Sequence, residues 1–112
     1  MTKIKVTGDE FYYFYLHLEL FMFSNIPKNP LAYHRAIAIN DVLEKNRKIQ
    51  FILSLYPIRK KTYIIKLNSI QLESVSHVLS VIGLHEYLKN LEFRLLEEIS
   101  KNNSLMNNIF HS

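Results

Sequence analysis

Five histidines, at positions 17, 34, 77, 85 and 111, are the side chains best suited to proton transfer or metal ligation. Their spacing contains no H-E-x-x-H or other ligand pattern. Glu73 and His77 stand at i,i+4, which puts them on one helix face, where an ion pair or hydrogen bond is the ordinary outcome. A zinc site there would need at least one more ligand from elsewhere. Ser74 and Ser80 stand at i−3 and i+3 from His77, and Ser76 adjoins it on another face. No strained turn or orienting carboxylate marks any of the three as a nucleophile. His85 and Glu86 are adjacent and so point apart on a helix, and Glu97-Glu98 fall in a solvent-facing stretch. Gly8 and Gly83 are the only glycines, too few for a phosphate-cradling loop. The absence of cysteine removes disulfides, thiolate zinc sites and cysteine nucleophiles. The expectation is a protein that is not an enzyme, with no cofactor, no metal and no small-molecule substrate.

Charge gives the first positive signal. The net +4 comes from 14 Lys+Arg against 10 Asp+Glu, very unevenly spread. Residues 1–44 carry four bases and five acids, and residues 67–112 carry three and five. Between them Lys45, Arg47, Lys48, Arg59, Lys60, Lys61 and Lys66 stand with no acid at all. Such a segment suits phosphate backbones or an acidic protein surface. Its plain alternative is edge protection, since lysines keep exposed strands from pairing with other chains. Tyr56 and Tyr63 lie nearby, but alternation turns only Tyr56 outward, too little stacking for an RNA-recognition sheet.

The second signal is aromatic. Phe11, Tyr12, Tyr13, Phe14, Tyr15, Phe21 and Phe23 are half of the aromatic residues in the chain. On a helix, Phe11, Phe14, Tyr15, Leu18, Phe21 and Met22 share one side, while Tyr12, Leu16, Leu20 and Phe23 form a second stripe nearly opposite. A helix apolar on two sides is either central in the core or covered by a partner. Tyr12, Tyr13, Leu16, Leu20 and Phe23 are therefore the candidate protein interface, where Tyr and Phe are enriched.

These residues need elements to hold them. Lys3 to Val6 alternate polar and apolar, predicting a short strand. Thr7-Gly8-Asp9-Glu10 fits a capping box that opens a helix over 9–24. The rival is a strand, because Leu16, Leu18 and Leu20 alternate with His17 and Glu19. Pro27 punctuates a loop, and Asn29-Pro30 is a cap followed by proline at the first helical position, predicting a second helix to about Asn46. Ile49, Phe51, Leu53 and Leu55 then alternate with more polar neighbours, as do Tyr63, Ile65 and Leu67. With Pro57-Ile58-Arg59-Lys60-Lys61 between them, the two runs predict a hairpin bearing the basic segment on its outer face. Lys3 and Lys5 extend that stripe if the first strand joins the sheet.

Asn68-Ser69-Ile70-Gln71 resembles another capping box, with Leu72, Val75, Leu79 and Ile82 following at helical spacing and Gly83 as a C-terminal cap. A last helix over 85–100 buries Leu88, Leu91, Leu95 and Ile99 and exposes Lys89, Asn90, Glu97 and Lys101, with Glu97 and Lys101 at the favourable i,i+4 order. An Asn-rich tail over 102–112 holds Leu105, Met106, Ile109 and Phe110, enough for one apolar turn able to dock. An internal echo relates Ile4-Lys5-Val6 plus helix to Ile65-Lys66-Leu67 plus helix. A matched strand and cap are too common to carry a duplication.

At 112 residues, 48% hydrophobic and 21% charged, the chain predicts one globular domain over 1–101 followed by the tail. The fold class is α+β: a small three-stranded, largely antiparallel sheet against about four helices, in the order β-α-α-β-β-α-α. The apolar run over 11–23 is shorter than the roughly 20 residues that span a bilayer, and acids precede it. A cytoplasmic protein without membrane contact is expected. Lysine exceeds arginine, and Ile and Asn abound, as AT-rich codons produce. That suits a small accessory or inhibitor protein of a phage or mobile element. The functional expectation is a non-enzymatic binding protein, meeting a protein partner or a second copy of itself through the aromatic helix and the basic hairpin. Nucleic-acid binding along that hairpin is the alternative.

Overall fold

A computed structural model describes residues 1–24, 29–55, 61–81 and 88–111. The elements run β1 (Thr2–Thr7), α1 (Gly8–Ser24), α2 (Pro30–Leu55), β2 (Thr62–Leu67), α3 (Ser69–Val81) and α4 (Lys89–His111). The class is α+β with four helices, but the described sheet has two strands, not three. β1 and β2 pair antiparallel, Thr2 opposite Leu67 and Thr7 opposite Thr62.

The expected hairpin is therefore corrected. Residues 48–55 continue α2 instead of forming a strand, and the partner of β2 is β1. The cause is a second periodicity in the same residues. Ile39, Val42, Leu43, Gln50 and Leu53 are buried, with Asn46 and Ile49 half-buried between them, and these steps of three and four continue one helix face without a break. No Gly or Pro interrupts the sequence from Leu31 to Tyr56, and helix formers such as Glu44, Lys45, Arg47, Lys48 and Gln50 fill it. Tyr56 to Lys60, Ile82, Gly83 and His85 to Tyr87, on which other expectations rested, lie outside the described residues.

The helix starts agree with the sequence. In β1–α1 the Thr7 N–H donates to Glu10 Oε1 at 2.9 Å and the Glu10 N–H to Thr7 Oγ1 at 3.2 Å, a reciprocal capping box. Asn68 and Gln71 repeat it at α3, at 3.0 and 2.8 Å. Asn29 Oδ1 accepts from the Ala32 N–H at 2.8 Å and opens α2. The Gly8 N–H, one of the donors a helix start leaves unpaired, reaches the Lys61 carbonyl across the sheet at 3.0 Å.

The core lies between one face of the sheet and the helices. Ile4, Val6, Ile65 and Leu67 meet Phe11, Phe14, Tyr15 and Leu18 of α1, Leu72, Val75 and Leu79 of α3, and Leu88, Leu91 and Leu95 beside and on α4. α2 packs against both α1 and α3, and α4 against α3 and β1. α4 runs past the expected end at Ser100 to His111, so the backbone of the tail is helical as far as that residue. The side chains of Leu105, Met106, Ile109 and Phe110 lie outside the described set. Lys101 pairs with Glu98 at 3.5 Å, one residue from the expected Glu97.

The echo between the two halves reaches further than the strand and cap. Each half is a strand, a capping box and two helices. Phe11, Phe14 and Leu18 of α1 are buried, and so are Leu72, Val75 and Leu79, which follow the second cap at the same spacing. Both capping carboxyl or carboxamide groups reach into the opposite half: Glu10 meets Arg94 of α4, and Gln71 Nε2 donates to Asp41 Oδ2 of α2 at 2.6 Å.

Candidate interaction surfaces

Two of the candidate serines are bonded within their own helix. Ser74 Oγ donates to the Ile70 carbonyl and Ser80 Oγ to the His77 carbonyl, both at 2.7 Å, so each hydroxyl is tied to its own helix. His77 is half-buried while Glu73 is exposed. Burial first, then the Arg35 guanidinium on α2, hold the His77 pKa below its ordinary value. His17 donates from Nδ1 to the Tyr13 carbonyl at 2.7 Å, one turn back on α1. Among the described residues no three His, Asp or Glu side chains gather so as to hold a metal ion. No described helix is long and apolar enough to cross a membrane.

The basic segment is divided by the continuation of α2. Lys45, Arg47 and Lys48 are exposed on that helix, where Lys45 pairs with Asp41 at 3.1 Å and Arg47 with Glu44. Two of the three charges are thus met by acids one turn earlier in sequence, too far along the chain for composition over 45–66 to register. Arg59 and Lys60 lie outside the described residues. Lys61 stands 5.5 Å above the Tyr63 ring, a cation–π contact at the start of β2. Lys66 points outward from β2 directly opposite Lys3 of β1. The stripe that Lys3 and Lys5 were expected to extend is therefore a ribbon of β1 and β2. All six outward side chains, Lys3, Lys5, Thr7, Thr62, Ile64 and Lys66, are exposed, and none is acidic.

α1 presents two different sides. Phe11, Phe14, Tyr15 and Leu18 are buried at the spacing of one helix face, with Phe11 stacked on Tyr15 at 6.4 Å and tilted against Tyr63 at 5.7 Å. The Tyr15 hydroxyl donates to the Leu43 carbonyl at 3.2 Å, joining α1 to α2. Burial, then the Glu19 carboxylate, raise that phenol's pKa. The second stripe opens progressively along the helix. Tyr12 and Leu16 are half-buried, Leu20 is 56% exposed and Phe23 86% exposed. Tyr13 is half-buried and edge-on to Tyr12 at 5.5 Å.

Sequence patterning did not single out Leu31, Tyr33 and Ile37, all exposed on the first half of α2. Only five residues separate Ser24 from Pro30 and the Tyr15–Leu43 bond ties the two helices together, so the end of α1 that carries Leu20 and Phe23 lies near the start of α2 that carries these residues. The arrangement offers exposed apolar residues at one end of the helices and a basic ribbon face on the sheet. The chain matches no family model, no curated protein and no solved structure.

Proposed function

We propose that the protein is a non-enzymatic interaction module that associates with a second copy of itself through the outer stripe of α1 and the start of α2. The observation that carries this reading is the exposure of Phe23 and Leu20 at the open end of a stripe that Tyr12 and Leu16 begin. Leu31, Tyr33 and Ile37 add apolar surface at the same end of the helix pair. Exposed apolar patches of this kind on a small chain are aggregation-prone unless a protein surface covers them. A second copy is the one partner always present in proportion to the chain itself. A twofold contact needs only that the patch be complementary to itself.

Sedimentation equilibrium tests this. The wild-type chain is expected to dimerise, and Leu20→Glu with Phe23→Glu is expected to give a monomer with an unchanged far-UV spectrum, because both residues stand outside the core. A wild-type chain that stays monomeric at tens of micromolar overturns the reading.

A further inference from the structure

We propose a second surface, independent of the apolar end: the outer face of the β1–β2 ribbon seats in the major groove of duplex DNA. One face of the ribbon packs Ile4, Val6, Ile65 and Leu67 into the core, and the other carries Lys3, Lys5, Lys66, Thr7, Thr62 and Ile64, every one exposed. Lys3 and Lys66 are direct cross-strand partners, and Lys5 sits on the next outward position, opposite Ile64. Like charges placed opposite each other weaken a ribbon. Edge protection needs a lysine on a strand, not a facing pair with a third beside it and no acid on the face. A polyanion relieves that repulsion, and counterion release from its backbone drives the association.

Dimensions and residue types select the duplex. Strands of six residues extend about 20 Å, and the major groove, about 12 Å wide, admits a two-stranded ribbon. Lysine ammonium groups and threonine hydroxyls reach phosphates or guanine O6 and N7, and the Ile64 side chain and threonine methyls suit the thymine methyl. A single strand would need aromatic platforms for its bases. Among the described residues no aromatic side chain stands on this face, because the Tyr63 ring packs against Phe11 on the inner side.

The test is fluorescence anisotropy with a short mixed-sequence duplex. Three phosphate contacts predict a log–log salt slope of about −2.7, or roughly 40-fold weaker binding on going from about 50 to about 200 mM salt. The triple variant Lys3→Gln, Lys5→Gln, Lys66→Gln is expected to lose binding at least tenfold, while Lys48→Gln with Lys101→Gln retains it. Guanine N7 is expected to be protected from methylation in the complex. Removing the facing charges should hold or raise the unfolding midpoint of the triple variant. Were it to unfold, Lys66→Gln alone still reads a several-fold loss. Four results would each overturn the proposal: no duplex binding at low salt, undiminished binding by the lysine variants, tighter binding to the single strand, or tighter binding to polyglutamate as a stand-in for an acidic protein.

Discussion

Arg94 joins three elements through one guanidinium. It donates to the Lys5 carbonyl of β1 and to the Glu10 carboxylate of α1 while standing on α4. Glu10 is itself buried and already caps the Thr7 N–H, so its two oxygens serve separate donors. Arg94→Met is expected to destabilise the fold by about 1–2 kcal/mol, trimmed by its partial exposure to water. Thr7→Ala, which removes one cap, should cost about 1 kcal/mol. Urea midpoints at constant m-value check both. Gln50 predicts the opposite sign. It is buried on α2, and its Oε1 has no hydrogen-bond partner among the described residues. Gln50→Met removes that unmet acceptor and should raise stability by about 1 kcal/mol. His77 adds a pH dependence. Its folded pKa lies below the ordinary 6.5, so the unfolded chain takes up the proton first as the pH falls. Stability is then lost below about pH 6.5, through the interval down to the lower folded value, and His77→Gln should flatten that decline between pH 7 and 5. The caps at Thr7, Asn29 and Asn68 were legible because a cap and its partner stand three residues apart. The Arg94–Glu10 pair joins opposite ends of the chain, and no local pattern announces it.

At the scale of the element, α2 shows why one segment misled. Ile49, Phe51, Ile52, Leu53 and Leu55 are apolar at almost every position, so the segment satisfies an alternation of two and a helical repeat together. The helical repeat prevails because Val42, Leu43, Gln50 and Leu53 continue one buried face against α1 and α3. The turn expected at Pro57 is not needed to bring β2 a partner, since β1 supplies it. Its own alternation made β2 legible, with Ile65 and Leu67 inward and Ile64 and Lys66 outward, but alternation says nothing about which strand lies beside it. Lys48 separates the two architectures. It is exposed in the interior of α2, where proline removes a backbone donor and clashes with the preceding turn. Lys48→Pro is expected to cost about 3 kcal/mol or more, against a nearly neutral Lys48→Ala. At the start of an edge strand the same proline would be tolerated. Thermal unfolding followed by circular dichroism reads the difference.

The whole molecule consists of two strand–helix–helix halves that cannot be separated without exposing polar and apolar groups in both. Neither half has a sheet alone, because every β1–β2 pairing crosses between them. The capping group of each half also serves the other, Glu10 through Arg94 and Gln71 through Asp41. Four buried sheet residues, Ile4, Val6, Ile65 and Leu67, complete a core that draws on both halves and all four helices. Opening one half therefore strips hydrogen bonds and hydrophobic cover from the other, the condition for all-or-none unfolding. Two probes are available in a chain with no tryptophan and seven tyrosines: the far-UV helix signal, dominated by α2 and α4, and the near-UV signal of tyrosines concentrated in α1. Their urea transitions are expected to coincide. In a double-mutant cycle, Glu10→Gln and Arg94→Met should show a coupling of about 1 kcal/mol, since the two side chains touch, whereas Gln71→Ala and Arg94→Met should add independently. Transitions that separate would mean that the halves unfold in turn, and the cross-contacts would then be local ties instead of the joint that makes one cooperative domain.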